Sequence, residues 1–423
     1  MNSFSHKLRI LFSDASLRRR ILFVVGMFFI FRFLSSIPIP GTDPTRLENL
    51  LSGNQLLSLF NVLSGGGLSS LSIVMLGVSP YISASIIMQV FSFMIPSLKE
   101  LMQESGELGR RKFSSYVRML TVPLAALQGF AFLKYLQTQG LIDQLAPTAM
   151  LSNLVIIMAG SLLLLWIADL INEFGIGNGT SLIIMAGIVA QVPTNISQFL
   201  FTFTPDQLPT TLIFFVVGLL AVIGVVYIYE AERPVHITYA RQVRGIRQIG
   251  GTDSYLPLRL TQAGVMPIIF ASSLLQVPQF LASFLSTSSH SILLSISQAM
   301  FYFTQHVWLY SIINFILVVF FTYFYTAVTF DPKQIADDLQ KGGAFIPGIR
   351  PGDATMSHLG GIVTRITLIG SLFLGIAAIL PTVIQNATGI TAFAIGGTSL
   401  LIAVSVFIDL LRRVEAQVAM QQY

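Results

Sequence analysis

Long apolar runs, rather than alternation or a narrow helical stripe, dominate the pattern of hydrophobic and polar positions along the chain. Stretches of about 20 mainly apolar residues, the length that crosses a bilayer's hydrocarbon as helix, lie near 21–37, 73–95, 115–137, 150–171, 181–202, 211–229, 263–286, 304–328, 362–383 and 391–411. In lipid every backbone donor and acceptor is satisfied within its own segment or in a closed barrel. The alternating ten-residue segments of a barrel are missing, so the runs predict ten transmembrane helices. The polar segment FTFTPDQLPT, residues 201–210, splits the spans five and five. An odd number per half gives the halves opposite topology. The expected fold class is an all-α polytopic membrane protein, with ten helices in two pseudo-symmetric inverted halves, 1–200 and 201–423.

One stretch does not fit a simple span. LFNVLSGGGLSSLS, residues 59–72, is too apolar for a solvated loop and too rich in serine and glycine to face lipid, yet it runs directly into the second apolar run.

Composition sharpens the membrane reading. Of 423 residues, 53% are hydrophobic and 10% charged, against roughly a quarter charged in soluble domains. There is no cysteine, which excludes disulfides, thiolate metal sites and a cysteine nucleophile. The basic head with Lys7, Arg9, Arg18, Arg19 and Arg20 before an apolar run resembles a signal peptide; the run ends in FLSSIPIPG without a small-residue cleavage site, so a retained first helix is expected. Charge also orients the spans. Apart from Arg32, Arg118, Lys134 and Arg365, in or at the ends of spans, Lys and Arg fall on one set of loops, and the opposite side carries only Arg46. By the positive-inside rule both termini are cytoplasmic. Snorkelling accounts for most of the four within spans.

Two cytoplasmic loops, 230–261 and 331–361, are longer than turning between helices requires. Two readings stand: a basic surface attracted to anionic head groups, or a docking surface for a large partner. Intramembrane catalysis has no support. The histidines (His6, His236, His290, His306, His358) lie in termini, loops or span edges without an HExxH pairing, and no metal set is apparent. GIGNG, residues 175–179, lacks the Lys-Ser/Thr of a phosphate loop and reads as a tight turn. Asp169, Glu173 and Asp409 lie at cytoplasmic span ends, leaving the spans nearly free of acids, which argues against a proton or sodium relay. A secondary transporter of a neutral small solute remains as the alternative to a channel. On the second span Val78, Ile82, Ser85 and Gln89 share a stripe, as do Ile269, Ser272 and Gln276 on the seventh.

GGGLSSLSIVMLGVSPYISASIIMQ, ESGELGRRKFSSY, GIGNGTSLIIMAGIVA, ITYARQVRG with SYLPLRLTQAGVMPIIFASS, GAFIPGIRPGDAT and GGTSLLI, in this order, resemble the SecY family, large subunits of the bacterial protein-conducting channel. The resemblance covers essentially the whole chain. It implies a channel of the cytoplasmic (inner) membrane that passes unfolded preproteins across and releases hydrophobic segments sideways into lipid. It also implies a plug at Leu57 to Leu71, including Phe60, Leu63 and Leu68, that blocks the closed pore, with Gly65, Gly66 and Gly67 giving freedom for displacement. The family's pore ring maps to Val78, Ile82, Thr180, Ile184, Ile269 and Ile402, where Thr180 departs from the usual isoleucine. Its lateral gate lies between the second and third spans and the seventh and eighth, which places Ser85, Gln89, Ser272 and Gln276 on gate helices. Arg350 in GIRPG matches a position tied to coupling with the SecA motor or the ribosome, and Arg241, Arg244 and Arg247 belong to the same basic docking surface. Family members associate with SecE and SecG. No cofactor and no covalent chemistry are implied, and without a nucleotide-binding motif the energy comes from a partner.

Overall fold

The computed structural model describes residues 15–40, 61, 64–68, 70–103, 106–138, 142, 146–202, 208–239, 242–244, 247–249, 253–262, 264–286, 290–388 and 397–421. The first part of the chain forms α1 (Ala15–Ser35), α2 (Ser79–Met94), a short α3 (Pro96–Gln103), α4 (Gly106–Thr138), α5 (Pro147–Phe174), α6 (Gly179–Thr202) and α7 (Leu208–Glu230). Strands β1 (Glu232–Tyr239), β2 (Gln242–Arg244), β3 (Arg247–Ile249) and β4 (Asp253–Arg259) follow. The remainder is α8 (Met266–Leu285), α9 (Ser291–Gln305), α10 (Val307–Thr329), α11 (Pro332–Lys341), β5 (Ala344–Phe345), α12 (Asp353–Thr388) and α13 (Gly397–Gln421).

Ten of these helices, α1, α2, α4 to α8, α10, α12 and α13, fall on the ten apolar runs. Among the described residues, α4, α5, α10 and α12 contain stretches long and apolar enough to cross a bilayer by themselves. Others are shorter apolar helices, and α2 shows why. The run 73–95 is not one helix. Residues Ile73 to Val78 form successive turns, and helix begins only at Ser79. Gly77 has φ +59°, and Pro80 in the first turn lacks the N–H that would extend the ladder backwards. Irregular backbone at this depth must find its partners inside protein. Here it does: Ile73 N–H donates to the Ile37 carbonyl (3.0 Å), Met75 to Ser72 (2.9 Å) and Gly77 to Val74 (2.8 Å). Val74, Met75 and Leu76 are fully buried.

Helix α9 sits in the connection between the seventh and eighth runs and is not anticipated by them. At 15 residues it rises about 22 Å, short of the hydrocarbon thickness. GIGNG forms the turn between α5 and α6, as expected, with Gly177 at φ +99°.

Contacts between helices before and after residue 205 concentrate at two seams: α2 and α4 against α8, and α6 against α13. The central core between them joins buried residues of α1, α2, α5, α6, α7, α8, α10, α12 and α13.

Beyond the helices, the two long loops fold together rather than lying open. Strand β1 pairs antiparallel with β4 (Val235 with Leu256, Ile237 with Ser254) and with β5 (Thr238 with Phe345), giving the order β4-β1-β5. Alternate residues Val235 and Ile237 face inward and pack with Leu258, Ile346, Leu359, Ile362 and Val363. This apolar centre fastens the sheet to the first turns of α12, which begins nine residues before the expected span.

Candidate functional site: an apolar constriction between two seams

Five of the six expected ring positions are buried in the central core. Val78 ends the turn run and Ile82 lies one turn into α2; Ile184 comes from α6, Ile269 from α8 and Ile402 from α13. Their exposures run from 0% (Ile402) to 5% (Ile82), and all belong to the central cluster. Thr180, the sixth, is held at the start of α6. It is the second residue of α6, half-buried, and its hydroxyl donates to Asn178 Oδ1 at 2.6 Å. That oxygen also accepts from the backbone N–H groups of Thr180 (3.1 Å) and Ser181 (3.3 Å), so Asn178 caps the helix and fixes Thr180 at its mouth. The α6 residue that does belong with Ile184 is Ile188, one turn further along, 3% exposed and in the same cluster. The Asn-Gly-Thr-Ser string carries this signal, since a cap residue at 178 sets the register of everything after it.

On one side of the constriction lies the segment ending at Leu71. Leu57, Phe60 and Leu63 are outside the described residues. Asn61 is helical, its carbonyl accepts from Gly66 N–H (2.7 Å) and Ser64 Oγ (3.0 Å), and the chain then turns with Gly65 at φ +73° and Gly66 at φ +82°. Leu68 and Leu71 are fully buried in a second core with Ile39, Leu76, Leu133 and Ile157. The Leu71 carbonyl accepts from Ile39 N–H at 2.8 Å. Leu68 and Leu71 are thus anchored in the fold, and Gly65 and Gly66 make the left-handed turn before them.

The α2/α4–α8 seam is the polar one. Expected Ser85 and Gln89 bond each other within α2 (3.0 Å) rather than across the seam. The link across it is Ser79 Oγ donating to Gln276 Oε1 at 3.2 Å, and Gln276 is 2% exposed. Gln128 of α4 donates to Ser83 of α2 at 3.1 Å. Ser272 is 1% exposed, and its hydroxyl has no protein partner among the described residues. The same holds for Gln89 Oε1, Gln128 Oε1, Ser273 Oγ and Gln276 Nε2. Further along, the Phe93 and Phe324 rings, on α2 and α10, meet at 4.8 Å. Within the second half, Arg412 of α13 pairs with Glu230 of α7 (3.1 Å) and donates to the Tyr229 carbonyl. Arg118, within the third span, does not merely snorkel, for it pairs with Asp169 of α5 at 3.1 Å.

Arg241 lies outside the described residues, and Arg244 and Arg247 face each other in the β2–β3 pair. Arg350 is exposed between Gly348 (φ +83°) and Gly352 (φ +96°), while its carbonyl accepts from Thr355 Oγ1 at 2.9 Å. Its neighbours Ile346 and Ile349 pack into the sheet's apolar centre. The backbone is held and the guanidinium is presented outward.

Ten apolar helices around an apolar constriction, with an irregular segment folded against it and one polar seam, define a polytopic membrane protein of the channel type. The chain belongs to the SecY family: the family model described as SecY matches residues 72–411. The protein translocase subunit SecY of Thermus thermophilus is 42% identical over 417 residues, covering 96% of this chain and 94% of that protein. Among solved structures, a SecY channel studied for its plug domain matches with TM-score 0.65 and 18% identity over 95% of this chain and 93% of that one. Sec61 in a canine ribosome-channel complex matches with TM-score 0.60 and 16% identity over 95% and 93%.

The seam geometry generates a prediction. Ser79→Ala removes the donor to Gln276 and leaves a buried amide oxygen unpaired, which costs about 1 kcal/mol or somewhat more. Because the bond exists only while α2 and α8 are together, the variant should part the seam more readily. Crosslinking of a signal sequence to α8 should rise by roughly fivefold; an unchanged yield would show that the bond does not hold the seam.

Proposed function

We propose that this chain is the channel-forming subunit of a protein translocase. Its relatives of 42% identity and near-complete coverage bear that name. The observation that carries the reading is the meeting of Val78, Ile82, Ile184, Ile188, Ile269 and Ile402, from four parts of the chain, in one buried apolar centre. Apolar side chains in a constriction oppose water and ions by dewetting while making no specific demand on the peptide that passes. A carrier of one small neutral solute would need a cavity with fixed polar groups at this depth. The ring as read here takes Ile188 in place of Thr180.

Around the ring the other parts take their roles. In the solved SecY channel the plug domain stabilises the closed state and maintains a membrane seal; residues 57–71 are the corresponding segment here. The polar α2/α4–α8 seam is the lateral gate, since parting two faces whose polar groups are incompletely paired exposes less apolar surface than parting an apolar seam. Ser85, Gln89, Ser272 and Gln276 line it, joined by Ser79 and Gln128. Residues 1–200 and 201–423 act as two halves that move about the α6/α13 contact. The sheet of the two long loops, with Arg241, Arg244, Arg247 and Arg350, is the docking surface for the ribosome or the SecA motor. A ribosome is the partner in the Sec61 complex of similar fold. SecE and SecG are the expected small subunits, the membrane is the cytoplasmic one, and both termini lie on its cytoplasmic side. The polypeptide crosses without covalent chemistry by this chain.

Two measurements test this. Ile82→Asn or Ile402→Asn should hydrate the constriction, and resting conductance in planar bilayers should rise clearly above the parent level. Unchanged conductance in both variants would remove these side chains from the pore. At the docking surface, a guanidinium engages carboxylate or phosphate at two points and lysine cannot. Arg350→Lys and Arg350→Glu should therefore both slow partner-driven translocation in reconstituted vesicles while expression and resting tightness stay at parent level. Lysine at full rate would instead support simple attraction to anionic lipid.

A further inference from the structure

The plug segment meets α6 through backbone rather than through side chains. A Cβ on Gly187 of α6 would fall 2.1 Å from the Gly65 Cα and 3.0 Å from its N and C atoms. No side chain can swing aside there, because the atoms in the way are main chain. Behind Gly65 stands Phe31 of α1, whose Cζ lies 2.0 Å from where a Gly65 Cβ would be, and Phe31 is 1% exposed. Gly65 is thus clamped between an aromatic ring and a second glycine, at a φ of +73° that L side chains rarely adopt. One turn further along α6, Gln191 Nε2 donates to the Asn61 carbonyl at 3.4 Å.

Ile184, Gly187, Ile188 and Gln191 follow at i, i+3, i+4 and i+7, so they form one stripe of α6. Two of its members belong to the apolar constriction and two touch the segment that covers it. We propose that Gly187 is the seat of the plug: a positioning residue whose missing side chain lets Gly65 dock against α6 and so sets the register of plug to ring. This rests on the channel reading above. A methyl group at 187 has to be accommodated by movement of one of two backbones. Helix α6 is held by the packing of Ile184 and Ile188, and Gly65 is backed by Phe31, so the turn at Gly65 and Gly66 is the part that must leave its position. The closed state loses its fit while the pore wall keeps its own.

The test compares four proteins in vesicles: parent, Gly187→Ala, a deletion of residues 57–67 that keeps the core residue Leu68, and the deletion combined with Gly187→Ala. Overpacking against fixed backbone shifts an equilibrium by about tenfold or more. Gly187→Ala should accordingly raise resting ion flux by about that factor and pass substrates with weakened signal sequences. In the deletion background it should add nothing further, because the partner it displaces is gone. A Gly187→Ala protein as tight as the parent overturns the proposal. Equal added flux in the deletion background also overturns it, since Gly187 would then be supporting the ring itself. A deletion that stays fully tight sinks the plug reading and the seat with it, and is distinguishable because it fails without any change at 187. Should Gly187→Ala not accumulate, a second measurement decides. The chain has no cysteine, so Asn61→Cys with Gln191→Cys can be bridged by a short thiol-to-thiol crosslinker. Efficient bridging in the resting channel, lost when an arrested preprotein occupies it, is the expected result; no bridging at rest refutes the docking of the segment on α6.

Discussion

Apolar side chains from α2, α6, α8 and α13 are buried together in the central core, and the proposed channel depends on that packing. Ile82, Ile184, Ile188, Ile269 and Ile402 have no polar partner to find and no fixed geometry to keep. Their cohesion comes from exclusion of water, which is non-directional and so survives small displacements of the helices that bring them together. A constriction built from hydrogen bonds would be more specific and would resist widening; one built from isoleucine closes on itself or on any chain that enters it.

The seams on either side follow from this. Among the described residues the α2/α4–α8 seam is furnished with serine and glutamine, one cross-seam bond of 3.2 Å and several polar atoms lacking protein partners. A neutral hydrogen bond nets only about 1 kcal/mol, so such an interface is held weakly by design of its chemistry. At the other seam α13 packs on α6, and within its own half Arg412 ties α13 to α7. The segment proposed as the plug touches both: Leu68 and Leu71 are rooted in the apolar core of α4 and α5, while Asn61 and Gly65 before them touch α6.

The membrane itself made much of this legible. Because lipid demands about 20 apolar residues per crossing, the ten helices could be located from hydrophobic runs alone, and the basic loops could be separated from the acid-poor spans. Positions within helices were harder. Thr180 sits in the first turn of α6, a position that Asn178 as a helix cap by residue type already signals. The second run was read as continuous despite Gly77 and Pro80, which break it where protein, not lipid, surrounds the backbone. The sheet escaped notice because its strands alternate over only a few residues, as in Val235 and Ile237, and its third strand comes from a loop about a hundred residues away. The bond from Ser79 to Gln276 joins residues 197 apart and no local pattern announces it.

The claim at the centre of this account is that a translocating polypeptide passes through the apolar constriction and not along an outer face of the helix bundle. Photocrosslinking from single positions with an arrested secretory chain addresses it directly. With probes at Ile82 and Ile269, which come from opposite sides of the polar seam, both positions should label the same segment of the arrested chain, while a probe at the lipid-exposed Leu219 of α7 should not. Labelling from Leu219 with none from Ile82 or Ile269 would contradict the account.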